Sequence, residues 1–258
     1  MIWRRSYNTA LYTIMHKEVS RFLPIWVQTI VPPAITMTLY FVIFGNLIGP
    51  RVGTMGGYTY MQYIAPGIIM MAIITNAYAN VVSSFFGAKL QRHIEEILVA
   101  PVPNIVILAG YVLAGVARGL AVGLVVNIIA LMFTDLHVHS YWLTALVALL
   151  TSTLFSICGL INAVYAQKFD DVSIVPTFVL TPLTYLGGVF YSIDLLPETW
   201  RSVSLANPVL YMINAFRYGI LGVADIDMRV AMAMILVFVA GFGGYALLLL
   251  RRGTGIRS

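Results

Sequence analysis

Residues 230–250 read VAMAMILVFVAGFGGYALLLL, an unbroken run without a charged side chain. Coiled as a helix rising about 1.5 Å per residue, it extends roughly 30 Å, the thickness of a bilayer's hydrocarbon core. The stretches 23–45, 62–86, 107–133, 141–165 and 172–190 share this character, and Arg118 is the one charged residue in any of them. Composition leads the same way. Only 10% of residues are charged and 60% are hydrophobic, with a mean hydropathy of +0.90. A soluble surface needs roughly a quarter of its residues charged. Strands of a membrane barrel would show alternating segments of about 10 residues, whereas these runs are continuous. The expected fold is therefore an all-α polytopic membrane protein, one domain over 1–258 with six transmembrane helices. The first run is too long for the core of a cleavable signal and is expected to stay as a span.

Between the runs the chain changes character. In residues 6–22, Tyr7, Leu11, Met15, Val19 and Phe22 recur at spacings of three and four, which predicts an amphipathic helix lying in the membrane interface. Pro32-Pro33 predicts a kink in the first span. Residues 46–60 read as a Gly-rich polar loop. The stretch 191–224, interrupted by Pro197 and Asn207-Pro208, predicts short helices in, or dipping into, the outer face of the membrane. Backbone of that kind is tolerated at depth only under cover of protein or water.

Orientation follows from the basic residues. With the N-terminus inside, ten of the 15 lie on the inner side, Arg51, Arg201, Arg217 and Arg229 lie outside, and Arg118 lies within a span. Both termini are then cytoplasmic, as is the connection 88–104. That connection concentrates Lys89, Arg92, Glu95 and Glu96 between two apolar runs and is followed by Pro101. On a helix, Arg92 and Glu96 form an i, i+4 pair on the face of Lys89, while Ile94, Ile97 and Leu98 form an apolar face. Pro101 then ends the helix. Such a helix suits either insertion into a partner's groove or rest on the bilayer. Its acidic pair argues against simple lipid anchoring, because anionic headgroups repel Glu.

Several chemistries are absent from the sequence. There is no G-x-x-x-x-G-K-[ST] phosphate loop, no H-E-x-x-H and no C-x-x-C. His137 and His139 alone make no metal site and read as part of a solvated loop. Cys158 is the single cysteine, so no disulfide within the chain exists. The runs hold no Asp or Glu, the groups that proton-coupled carriers place at mid-depth. A chain that transports without an engine of its own needs one supplied from outside, and 88–104 is the natural place to receive it.

Other residues keep two readings. Arg118 either pairs at depth with carbonyls or with the amides of Asn76 or Asn162, or snorkels to the headgroups. Asn76, Asn80 and Ser83 form a polar stripe that either glues helices together or lines a substrate path. Gly187-Gly188 permits close approach, either of a second copy or of the chain's own helices.

Gln91-Arg92-His93-Ile94-Glu95-Glu96-Ile97-Leu98-Val99-Ala100-Pro101-Val102-Pro103 resembles the cytoplasmic connection of ABC-2 type transporter permeases. The later pattern Leu196-Pro197, Asn207-Pro208 and Arg217-Tyr218 does so too. RFLPIWVQTIVPPAITMTLYFVIFGNLIG and FDDVSIVPTFVLTPLTYLGGVFYS are similar to the YadH-type permeases of Gram-negative bacteria in particular, and the resemblance covers nearly the whole chain. It implies a six-span half-transporter of the bacterial inner membrane. It also implies pairing with a second copy and docking of two separate ATPase subunits, which bring ATP and Mg, on a coupling helix at 88–104. The chain itself would bind no cofactor or nucleic acid and would not be an enzyme, and the cargo would be exported. The rival readings are a self-sufficient channel or secondary carrier, which predicts ion-dependent flux, and a membrane scaffold that moves nothing.

Overall fold

A computed structural model describes residues 2–94 and 102–253, with side chains from residue 7 onward. Helix α1 is Ile2–Phe22, and α2 is Trp26–Val52. A two-stranded antiparallel hairpin comes next, β1 Thr54–Met55 and β2 Tyr58–Thr59, pairing Thr54 with Thr59 and Met55 with Tyr58. Helix α3 is Tyr60–Leu90, α4 is Asn104–Phe133 and α5 is Tyr141–Tyr165. Helix α6 covers residues 169–185 as three abutting pieces, Phe169–Val175, a π-helical turn Pro176–Leu180, and Thr181–Tyr185. A 3-10 turn Ile193–Leu195 leads to α7, Glu198–Leu205, α8, Pro208–Leu221, and α9, Met228–Arg252.

The expected all-α membrane architecture is present. Among the described residues, five helices are long and apolar enough to cross a bilayer: α2, α3, α4, α5 and α9. The stretch expected as a span at 172–190 differs. Its helix starts at Phe169, is interrupted by the π-helical turn, and stops at Tyr185. At about 1.5 Å per residue it reaches roughly 25 Å, short of the ~30 Å core. The loop expected at 46–60 is instead the end of α2 plus the hairpin. Residues Phe41–Ile48 of α2 are π-helical, a local widening of the kind that often marks functional places in helices.

Helix α3 is the axis of the bundle. In its most apolar window 83% of residues are buried, against 17% for α2 and 22% for α9. It opens on a capping box: Thr59 Oγ1 accepts from the Gln62 backbone N–H at 3.4 Å, and the Thr59 N–H donates to Gln62 Oε1 at 3.1 Å. Helix α4 docks on it through Gly115, Gly119 and Gly123, one helical turn apart, which sit over Ala77 and Ile73. Helix α5 docks through Gly159, where an added Cβ would lie 2.6 Å from the Tyr78 carbonyl oxygen. Without a hydrophobic force between helices in lipid, this closeness of backbones is what holds such an interface.

The segment 191–224 does form short helices, and α8 is enclosed by protein nearly all round. Asn207 caps α8, accepting from the Val209 N–H at 2.9 Å while its amide donates to the Leu183 carbonyl at 2.6 Å. Helix α1 turns Tyr7, Leu11, Ile14, Met15, Glu18 and Phe22 inward. Ile14 packs where a side chain on Gly110 of α4 would stand. The expected apolar stripe therefore meets protein, and a carboxylate lies within it.

Candidate functional site

A groove of about 330 Å³ runs between α2, α3 and α6. Helix α2 contributes Pro32, Pro33, Thr36, Met37 and Tyr40, a spacing that shares one helical face. Helix α3 contributes Met71, Thr75 and Asn76, and α6 contributes Thr181, Thr184 and Tyr185. No charged residue lines it. Most of its polar donors are spent on their own helices: Thr75 Oγ1 donates to the Met71 carbonyl at 2.9 Å, Thr184 Oγ1 to Thr181 at 2.8 Å, and the Asn76 amide to Ala72 at 3.0 Å. Hydroxyl lone pairs and the Asn76 carbonyl oxygen remain. The groove thus offers uncharged acceptors between apolar walls.

Aromatic rings bound it at one end. The Tyr40 and Tyr185 hydroxyls share a hydrogen bond of 2.7 Å. The Phe190 ring stacks with Phe44 at 4.4 Å and with Tyr185 at 5.8 Å. Tyr60 fixes this corner by donating to the Phe190 carbonyl at 2.9 Å.

Above the groove, Arg217 of α8 is wholly buried. Its Nε donates to the Tyr63 carbonyl at 3.3 Å and one terminal nitrogen to the Gly188 carbonyl at 2.5 Å. Its guanidinium stands 4.0 Å over the Tyr63 ring. The Tyr63 hydroxyl donates to Asp225 at 3.2 Å, and Asp225 also accepts from the Ile193 N–H at 3.0 Å. The Asp225 N–H donates to Asn214 Oδ1 at 2.9 Å. Gly188 presents its carbonyl from a left-handed conformation, φ +75°, which glycine adopts without steric cost. The charge pattern along the chain counts Arg217 among the basic residues of the outer-side segments. The structure adds that it is buried, an internal tie between α3, α8 and the turn after α6.

On the opposite side, Glu18 of α1 is buried and accepts a short hydrogen bond from Ser84. Arg21 Nε lies 3.4 Å from Glu18, and its terminal nitrogen donates to the backbone and side-chain oxygens of Asn80, each at 3.1 Å. This clasp fastens α1 to α3.

The profile of the ABC-2 type transporter family matches residues 9–221. The chain belongs to the ABC-2 type transporter family. It is 60% identical over 252 residues to the inner membrane transport permease YadH of Escherichia coli strain K12, covering 98% of each chain. The same figures hold for the YadH of Shigella flexneri. It is 25% identical over 217 residues to nodulation protein J of Rhizobium leguminosarum bv. viciae, covering 81% of this chain and 82% of that protein.

In this ABC-2 permease the residues singled out by sequence pattern part company. Asn76 lines the groove, Asn80 is engaged by Arg21, and Ser83 is exposed and donates to the Asn80 carbonyl at 3.1 Å. Gly187 is buried against Val209 and Ile213 of α8, so its close approach is to its own chain. Arg118 reaches neither Asn76 nor Asn162, whose amides donate to Ala72 and Val172.

The connection 88–104 of the permease is also not one helix. Helix α3 ends at Leu90, and Arg92 takes a left-handed conformation, φ 60°. A left-handed residue breaks an α-helix, so the helix that holds Lys89 does not continue through Arg92. Lys89 Nζ donates to the Val164 and Ala166 carbonyls, each at 2.7 Å, closing the C-terminus of α5 as a cation does there. Ile94 is buried. Glu95, Glu96, Ile97, Leu98 and Pro101 lie outside the described residues. Among the described residues no group of three or more His, Cys, Asp or Glu converges.

Sequence pattern alone does not reveal the groove's threonines, Glu18 or the Arg217–Tyr63–Asp225 network. The Gly115-x-x-x-Gly119-x-x-x-Gly123 spacing is a readable signal for helix contact. Nothing local marks Tyr63 or Asp225, which lie 162 residues apart.

Proposed function

We propose that two copies of this permease bring their grooves together to form the path of an ABC exporter. Separate ATPase subunits, two per complex, dock on 88–104 and carry ATP and Mg. The chain holds no nucleotide-binding site of its own and acts as a transport subunit rather than an enzyme. The likeness to the inner membrane permease YadH supports the bacterial inner membrane as its location, in contact with membrane lipids. Residues 169–190 make the sixth crossing, short of lipid thickness alone but completed by the turn beyond Tyr185. Both termini face the cytoplasm, as the distribution of basic residues requires. Outward movement of cargo follows from the family resemblance.

The observation that carries this reading is the groove's one-sidedness. It is walled on one side by α3 and open on the other, and its rims expose apolar side chains. Ile35, Leu39 and Leu47 on α2 are 57%, 53% and 64% exposed, and Phe178 on α6 is 73% exposed. A second copy across these rims closes the groove. The uncharged lining gives no support to a proton-coupled carrier, which needs carboxylates or histidines there.

Two experiments test it. Copurification with a subunit bearing a phosphate-binding loop is expected, and deleting 91–98 should abolish it. Substrate should stimulate ATP hydrolysis by the assembled complex. Transport by the purified chain alone, without ATP, would overturn the reading.

A further inference from the structure

Helix α6 is tied near both ends and leaves a space beside its middle. The Asn162 amide of α5 donates to the Val172 carbonyl at 3.3 Å, and the Asn207 amide donates to the Leu183 carbonyl at 2.6 Å. Between these ties a second cavity, of about 370 Å³, separates α6 from α5 and α9. Its α6 wall is Val175, Val179, Leu180 and Leu183. Val179 and Leu180 belong to the π-helical turn Pro176–Leu180, a local widening of a kind frequent at functional places. Thr181, Thr184 and Tyr185 line the groove on the other side, so α6 is a wall of both cavities.

The lining says what fits. No charged residue faces this cavity, and its aromatic side chains are Tyr78, Phe155, Tyr165, Phe238 and Phe242. The Tyr165 hydroxyl is paired with that of Tyr245, and the Asn162 amide is spent on Val172. The Tyr78 hydroxyl differs from these. The residue is 1% exposed, and its hydroxyl is buried with no hydrogen-bond partner among the described residues. A buried O–H left so is costly. A water in its place would need about two to four polar partners, and these walls are mostly hydrocarbon. Helix α3 has 31 residues, about 46 Å, the thickness of a bilayer with its headgroups. Tyr78 lies twelve residues from Leu90, about 18 Å in from the nearer end and below the level of phospholipid oxygens. The cavity opens sideways, where Tyr165, Val179 and Phe242 are 51%, 48% and 38% exposed.

We propose that this cavity binds an uncharged aromatic carbonyl compound dissolved in the bilayer, its ring held between the aromatic walls and its carbonyl oxygen accepting from Tyr78. Aromatic faces favour a ring beyond the area it buries. The oxygen belongs to the apolar body of the molecule, since a charged or strongly hydrated head is too costly to bring among these walls. Size and lining are those of a small-molecule site: mostly apolar, with one placed polar group to fix orientation. The assignment does not rest on the transport reading. Occupancy fills the space beside the π-helical turn and so braces α6, the wall shared with the groove.

The test uses the full chain in phosphatidylcholine nanodiscs, with benzophenone as the probe. It is an aromatic ketone that crosslinks to nearby C–H groups under ultraviolet light. Crosslinks mapped by peptide mass spectrometry are expected on cavity residues such as Leu154, Leu180 and Phe242. Diphenylmethane, which has the same two rings without the oxygen, is the comparison. Wild type is expected to bind benzophenone roughly fivefold more tightly, the scale of one hydrogen bond, with both affinities read from the concentration dependence of the melting temperature. Tyr78→Phe should bind the two equally and, having lost only an unpaired hydroxyl, should melt no lower than wild type. Equal affinity in wild type means a cavity for bare hydrocarbon, such as an acyl chain. Crosslinks absent from the cavity mean that a second copy or another helix covers its mouth. Either result overturns the proposal, as does a ketone preference that survives in Tyr78→Phe.

Discussion

Replacing Arg217 by methionine, which keeps much of the volume and removes the charge, tests whether the segment 191–224 is held by its buried network. Arg217 is 0% exposed. The change deletes two hydrogen bonds from a charged donor, to Tyr63 and Gly188, each worth about 1.5–3 kcal/mol. It also deletes a stacked cation worth about 1–2 kcal/mol. Against this stands the relief of a buried charge, so the net loss is about 3–5 kcal/mol, the usual cost of removing one partner from a buried ionic cluster. For a chain of this size that lowers the melting temperature by roughly 6–20 °C, read by size-exclusion chromatography after heating. Because Tyr63 links Arg217 to Asp225, Asp225→Asn should be less damaging in the Arg217→Met background than in wild type, by about 1–3 kcal/mol. Arg217→Lys should fall between, since an ammonium cannot span both carbonyls as the fork does. A loss under about 1 kcal/mol, or strictly additive single changes, would refute the network as the tie.

Four further positions have expected outcomes. Lys89→Met should cost about 1–3 kcal/mol by uncapping α5, yet leave the ATPase partner bound; loss of the partner with unchanged stability would return Lys89 to docking. Gly159→Ala drives a methyl to within 2.6 Å of a backbone carbonyl that cannot swing away and should cost about 1–3 kcal/mol. Gly241→Ala, which meets nothing within 4 Å, should be neutral or gain up to ~1 kcal/mol in thermal stability. Arg92→Gly should stabilise by about 1 kcal/mol by removing the left-handed penalty, and Arg92→Val should do the reverse; the opposite order in a melting assay would contradict the break at the end of α3.

The span pattern is legible because lipid imposes one rule along a whole segment: an apolar run long enough to cross must satisfy its backbone as a helix. Helix α5 accordingly has the bounds its apolar run predicts, Tyr141–Tyr165. The interruption of α6 is not legible, since its prolines and threonines are also common within spans. The charged residues are the least legible. The burial of Arg217 is not visible locally, because it depends on partners such as Gly188 and Asp225, which the local pattern does not name. Lys89 looks like part of a docking face because the α5 carbonyls it caps are remote in sequence. Asn76 does belong to a polar stripe, but the groove it lines needs α2 and α6 to exist.

The clasp at Glu18, the cap at Lys89 and the glycine seams have a joint mechanical consequence. They lock α1, α4 and α5 to α3 by backbone-close or charged contacts, whereas α2 leans on α4 through side chains such as Phe41 stacked on Phe133, and among the described residues α6 is tied near its two ends, by Asn162 at Val172 and Asn207 at Leu183. Strain applied at the Leu90 end of α3 cannot be absorbed by slippage among the locked helices, so they shift as a stiff chassis. Compliance is left at the α2 and α6 staves, each of which carries a π-helical turn. Among the described helices, that arrangement directs movement to the width of the groove.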